Sequence, residues 1–539
     1  MPTRSKKRAP KQSYQSSSQL VIPGFETPFE QHLDPGNRWV VMAKYLPWDD
    51  ICNIYLHHLG VSDTGRPGLN ARIVIGSLII KHICNLDDRE TVQQISENVY
   101  MQYFIGYPSF STALPFDASL FVEFRKRLGL EQVNAINERI VELKTKLEAS
   151  PQKTDTDMPK GDKGDQEESP ADSVPLSSGD LSGDDIVEEG SNVKETHRGR
   201  IILDATACPQ NIAYPTDHDL LSQAREKSEE LIDLLYRKEI HGNKPRTYRR
   251  NARKHYLKVA QNKNKSKKLI YSAVGKQLRF LKRNIKSINA LLDKYQKFPL
   301  SGKNHKYLLV ITTLYEQQQQ MHRTRSHQID HRIVSIHQPH VRPIVRGKSH
   351  AKVEFGSKIH VTLIEGISFL DDLSWDAYNE GSRMMGYVEN HKRRFGCYPS
   401  HVLADKIYCT RENRKALKEK GIKLVAKPLG RPKAVPEHVS PGERNPIEGK
   451  FGQAKTAYGM GCIKARLKET SETWIACIIL VLNLVKLAGA AAYCITSLFF
   501  SKKIKSCVYR LSQTSHGLNI YRRRFPLDHP NHFKYRWVC

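Results

Sequence analysis

Three acidic residues stand where solvation alone does not explain a carboxylate. Asp204 closes the apolar run Arg200-Ile-Ile-Leu-Asp204-Ala-Thr206, and Asp405 closes Ser400-His-Val-Leu-Ala-Asp405. A carboxylate at the end of an apolar strand is costly to desolvate, so it needs a cation, hydrogen-bond donors or a capping role beside it. For either aspartate alone, capping and chemistry are equally good readings. The third acid, Glu448, lies in Arg444-Asn-Pro-Ile-Glu448-Gly-Lys-Phe-Gly-Gln-Ala-Lys455, which reads as the start of a helix with Pro446 in its first turn. Glu448 and Lys455 are about two turns apart and so share a face, and Arg444, just ahead of the helix, could close on the same side.

The elements that must position these residues follow from the hydrophobic pattern. Arg200–Thr206, Lys358–Ile364, Ser400–Asp405 and Lys423–Ala426 read as short buried strands, with a helix over Arg411–Lys420 between the last two. Strands alternating with helices predict an α/β sheet. A long helical region, Leu220–Gln328, falls between the first strand and the others. Ahead of them, apolar positions at alternating spacings of three and four up to Glu148 predict a compact all-α domain.

Charge points to the partner. The 539 residues carry 85 Lys plus Arg against 56 Asp plus Glu, a formal charge of +29. Such an excess favours a polyanion, with nucleic acid first and an anionic membrane surface second. Residues 241–290 hold sixteen Lys or Arg and no acid, interleaved with Tyr248, Tyr256, Tyr271 and Phe280. One sign of charge over fifty residues repels itself unless phosphate lies against it, which makes Arg249, Arg250, Arg253 and Lys254 candidate DNA contacts. Residues 151–190 are the opposite, with twelve acids against three lysines, and read as a disordered linker. This linker is a spacer or, on a sharper reading, an acidic mimic of DNA. Ten scattered cysteines without a Cys-x-x-Cys pair predict a reducing cytosol. The basic N-terminus lacks the apolar core of a secretory signal. Trp474–Phe500 is apolar enough to span a bilayer, but Asn483 and Lys486 interrupt it, so a buried core helix is expected and no membrane partner.

The order Ile-Leu-Asp204-Ala-Thr, then Ala-Asp405-Lys-Ile-Tyr-Cys-Thr-Arg-Glu-Asn413, then Arg444-x-x-x-Glu448-x6-Lys455 with Tyr458-Gly and Ala465-Arg-Leu, resembles the DDE transposases of bacterial insertion sequences. The helical region up to about Glu148 also looks like the N-terminal domain common in that family. This resemblance implies an α/β, RNase H-like mixed-sheet catalytic core with an all-α N-terminal domain and a helical basic insertion. It implies that Asp204, Asp405 and Glu448 hold two Mg²⁺ ions, with Mn²⁺ as a substitute, Asp204 facing both ions, Asp405 one and Glu448 the other. Water then frees a 3′-hydroxyl, which attacks target DNA in line. By the same resemblance Arg444 and Lys455 grip phosphates at the element end. The implied partners are double-stranded DNA, as terminal inverted repeats and target, and a second copy of the chain in a synaptic complex. The implied location is the bacterial cytoplasm, at the nucleoid. Asp204 and Asp405 are 201 positions apart and Asp405 and Glu448 only 43, so extra DNA-binding surface is expected between the first two acids and no large insertion before the third. Some relatives carry a Tyr three positions before the Arg; here Pro441 stands there, and the role of that Tyr is not carried over.

The expected organisation is a basic tail (1–18), an all-α DNA-binding domain (19–150), an acidic linker (151–197), a catalytic domain (198–500) with its insertion at about 218–345, and a basic tail (501–539) in which Tyr521–Phe525 adds phosphate contacts. The rivals are an RNase H-like nuclease without strand transfer and an inactive relative that only binds DNA. His322, His327, His331, His337, His340 and His350 have spacings that could suit zinc, but no Cys or carboxylate pair completes a ligand set, and a polar face toward DNA is preferred. Asp217 could support the acid site from behind, but capping the helix at Leu220 is the preferred reading.

Overall fold

The structure is a computed structural model that describes residues 33–59, 68–149, 197–345, 353–426 and 441–488. The expected tails, and the acidic linker up to residue 196, lie outside the described residues.

Among the described residues six helices come first: α1 Arg38–Tyr45, α2 Trp48–Leu59, α3 Ala71–Ile83, α4 Asp88–Glu97, α5 Val99–Phe104 and α6 Leu120–Ala149, the last kinked at Gly129. Asn37, Asn70, Asp87 and Asn98 each cap a helix by accepting a backbone N–H, which satisfies a donor the helix itself cannot. At their centre Trp48 packs edge-on against Phe104, and Trp39 lies tilted against the same ring.

The sheet is mixed. Its strands are β1 Arg200–Pro209, β2 Arg342–Val345, β3 Val353–Ile364, β4 Ile367–Ser374, β5 His401–Leu403 and β6 Lys423–Val425. β3 runs antiparallel to β1, while β1, β5 and β6 are mutually parallel. β2 and β4 share the far edge of β3, pairing with successive parts of it. This is an α/β architecture with an RNase H-like core behind a helical N-terminal region. β1 runs three residues beyond the expected strand because its register with β3 continues to Pro209 opposite Gly356. β2 and β4 were not expected. β4 carries Asp371 and Asp372 in mid-strand, where a bulge in β3–β4 pairing breaks the alternation that marks a strand.

Four longer helices fill the gap between β1 and β2: α7 Asp217–Leu235, α8 Arg249–Ala260, α9 Lys267–Leu292 and α10 Gly302–Thr324, with a single helical turn, Lys238–His241, between the first two. They enclose their own core around Leu221, Leu231, Leu281 and Ile311. Asp217 does not cap α7. Thr216 does, accepting the Asp219 N–H, while the Asp217 carboxylate is drawn off by Arg332 and Gln318, each at 2.7 Å.

The remaining helices are α11 Met384–Phe395, α12 Arg411–Glu419, α13 Asn445–Ala457 and α14 Lys468–Ala488. α14 is long and apolar enough to cross a membrane, yet 72% of its most apolar window is buried. Its Trp474 receives the cations of Lys81 and Arg125, which share Asp88. Further along, Asn483 accepts the Ser368 N–H and donates to Ser368 O and to Asn137 Oδ1, all three groups being buried. A polar residue in mid-helix thus joins α6, β4 and α14. Residues 489–500 of the apolar run lie outside the described residues.

Candidate active site

Asp204 and Asp405 are brought to neighbouring places because β5 lies parallel to β1, with Ile202 opposite Leu403. Asp204 projects from β1 one residue beyond Leu203. Asp405 follows β5 and caps a one-turn 3₁₀ helix, Lys406–Tyr408. Each carboxylate accepts the backbone N–H of the next residue, from Ala205 at 2.8 Å and Lys406 at 2.7 Å. Capping and chemistry are therefore not exclusive at Asp405: one oxygen serves the turn.

Arg444 stands between them. Its guanidinium lies 3.2 Å from Asp405 and 3.9 Å from Asp204. Burial pushes the Asp204 carboxyl above its ordinary range; the Ala205 N–H and Arg444 pull it down, while Glu380 and Asp405 add repulsion. The net rise marks a desolvated acid among like charges, the condition under which an added cation gains most.

Glu448 lies in the first turn of α13, four residues after Arg444, with Pro446 at the helix start as the sequence suggests. Its side chain is exposed, and Lys455 is half-buried near the end of the same helix. Among the described residues no three His, Cys, Asp or Glu side chains converge closely enough to hold an ion. The structure thus brings together Asp204, Asp405 and Arg444, and leaves Glu448 on the adjoining helix.

Sequence reasoning missed Glu380. It lies between β4 and α11, accepts the Tyr408 hydroxyl at 3.0 Å and pairs with Lys358 at 2.6 Å. It stands at the start of a one-turn 3₁₀ helix, Gly381–Arg383, but its side chain makes no capping bond there. A hint lay in Asn413, within the motif around Asp405, which donates to Gly381 O and Tyr408 O and so holds the Glu380 turn against the Asp405 turn.

The candidate DNA contacts differ among themselves. Arg250, Arg253 and Lys254 are exposed on α8. Arg249, also exposed, is bound to Asp233 at 2.8 Å, alongside Lys244. The histidine run is dispersed: His322 stacks on Tyr271, His337 meets the Tyr307 hydroxyl, His340 sits edge-on to Trp375, and His327 and His331 face Asp217 and Asp376. His350 lies outside the described residues.

Residues 402–485 match the family model described as a transposase DDE domain, and residues 27–127 match a transposase domain of the DUF772 type. The first span holds Asp405, Arg444, Glu448 and Lys455. The uncharacterized protein ORF8 in the nfe locus of Rhizobium meliloti is 30% identical over 113 residues, covering 20% of this chain and 52% of that relative. The chain thus spans about half the length of the curated relative it matches. No solved structure matches.

Proposed function

We propose, for a chain that belongs to the insertion-sequence type of DDE transposases, that it binds the ends of its element and cuts and joins DNA at an acid site formed by Asp204, Asp405 and Glu448. The observation that carries this reading is the meeting of two aspartates, far apart in sequence, on one guanidinium. Carboxylates that already share a cation have the oxygen donors and local negative charge that suit a hard divalent ion, so Mg²⁺ fits, with Mn²⁺ as a substitute. Asp204 and Asp405 would hold two such ions together with Glu448. When bound, the ions supply activation of the attacking oxygen and charge stabilisation at the leaving one.

The chain's own residues bind and orient the strand. Arg444 and Lys455 lie at the two ends of α13 and take phosphates at the element end; the exposed cations of α8 hold the duplex along its backbone. The N-terminal helices, within residues 19–150, read the inverted repeats, and residues 151–197 link them to the catalytic domain at 198–500. Two copies of the chain pair two element ends in a synaptic complex.

The test is cleavage of duplex DNA carrying the inverted repeats that bound the gene. Asp204→Asn, Asp405→Asn and Glu448→Gln are each expected to lose Mg²⁺-dependent end cleavage while retaining DNA binding. A variant that cuts at the wild-type rate removes that residue from the site.

A further inference from the structure

Glu380 joins the two structural pieces that carry the aspartates. Its Lys358 partner lies on β3, opposite Ala207 of the strand that bears Asp204. Its other partner, Tyr408, closes the turn that Asp405 caps. Both members of the ion pair are largely buried, with side chains 16% and 14% exposed, so the pair is held in one geometry and screened little by solvent. Lys358 is fixed further by donating to Tyr378 O at 3.0 Å.

The turn that presents Glu380 is itself locked. Asn413 donates to Gly381 O at 2.7 Å and to Tyr408 O at 2.9 Å. A Cβ at position 381 would run into the Ile407 carbonyl, so only glycine lets the two turns approach this closely. An amide at position 380 would still accept the tyrosine hydroxyl, but it could not form the ion pair with Lys358. The negative charge also reaches Asp204, whose carboxyl it helps to push up.

We infer that Glu380 is a positioning residue of the acid site: through Lys358 and Tyr408 it sets the spacing of Asp204 and Asp405, and its charge adds to the field that draws in divalent cations. This rests on the reading of Asp204 and Asp405 as cation-holding residues. Residues that orient metal ligands from behind typically change metal affinity by about 10–100-fold when replaced.

The experiment measures Mn²⁺ binding to the full chain, without DNA, from the electron paramagnetic resonance of free Mn²⁺. Glu380→Gln is expected to weaken binding at least about tenfold. Its affinity for duplex DNA in the absence of divalent cations is expected to stay at the wild-type level, and excess Mn²⁺ is expected to restore its cleavage rate. A merely structural role would move DNA affinity as well, and metal would not rescue it. Should Glu380→Gln fail to fold, Tyr408→Phe removes only the hydroxyl that Glu380 accepts, and the same direction of change is expected. Asp204→Asn is measured in parallel. If Asp204→Asn loses Mn²⁺ and the Glu380 or Tyr408 variant binds it like the wild type, the inference about Glu380 is overturned and the site stands. If Asp204→Asn also binds Mn²⁺ like the wild type, the site falls and the inference with it.

Discussion

Replacing Arg250, Arg253 and Lys254 together by alanine takes three exposed cations off one helix. Their neighbour Ala252 is buried and its carbonyl accepts from Gln277 of α9, so the inner face of α8 is anchored independently of the three outward side chains. Each phosphate contact removed lowers the slope of log affinity against log salt by about 0.9, so the triple variant should lose about 2.7 of slope. Over a fourfold rise in salt, from about 50 to about 200 mM, its affinity should then fall about 40-fold less than that of the wild type. Arg249→Ala is the internal control. That guanidinium is already neutralised by Asp233, and its removal should change the slope by clearly less than one contact. Fluorescence anisotropy of a labelled duplex of arbitrary sequence, titrated at several KCl concentrations, measures both. An unchanged slope in the triple variant, or an Arg249 effect as large as the other three combined, would refute the assignment of α8 to the DNA backbone.

Asn483→Leu should destabilise the fold by about 2–5 kcal/mol in urea unfolding, because it orphans the buried Ser368 N–H and Asn137 Oδ1. Gly356→Ala should cost about 1–3 kcal/mol by the same measurement, since a Cβ there would strike the Cys208 carbonyl across the β1–β3 pairing. Asp204→Asn should raise the thermal midpoint at neutral pH while it abolishes cleavage. The sign follows from the raised carboxyl: its stability is complete below the unfolded-state value and is lost as pH rises through the higher folded-state value, so the gain from Asn should vanish in acid. Thermal melts of both proteins from acid to neutral pH check this, and a variant less stable at neutral pH would contradict it.

The acid pair was legible in the sequence because each aspartate ends an apolar run, and desolvation makes such a residue conspicuous. The helix of Glu448 was legible through Pro446 at its start. The Arg444 contact with both aspartates was only partly so: the sequence placed Arg444 on the side of Glu448, but which acid a flexible cation meets is decided by the parallel pairing of β1 and β5. Glu380 and β4 were illegible for a shared reason. Asp371 is fully buried on β4, where burial would raise its carboxyl but the nearby His360 ring, the Arg394 charge and the Thr362 hydroxyl hold it low. Its partners lie on β3 and α11, so nothing adjacent in the sequence announces that an acid belongs in the core. The insertion was read as helical from its periodicity. Its division into four longer helices and one short turn was not read, because the breaks after Leu235, Ala260 and Leu292 depend on which faces pack around Leu281 and Ile311.

The most direct measurement is strand joining: a duplex ending in the element's own repeat with a free 3′-hydroxyl is incubated with supercoiled plasmid, the full chain and Mg²⁺. Covalent joints should form with the wild type and be absent with Asp204→Asn, Asp405→Asn or Glu448→Gln, each still bound to the duplex. Joints formed at the wild-type rate by any of the three would contradict a single acid site shared by β1, β5 and α13.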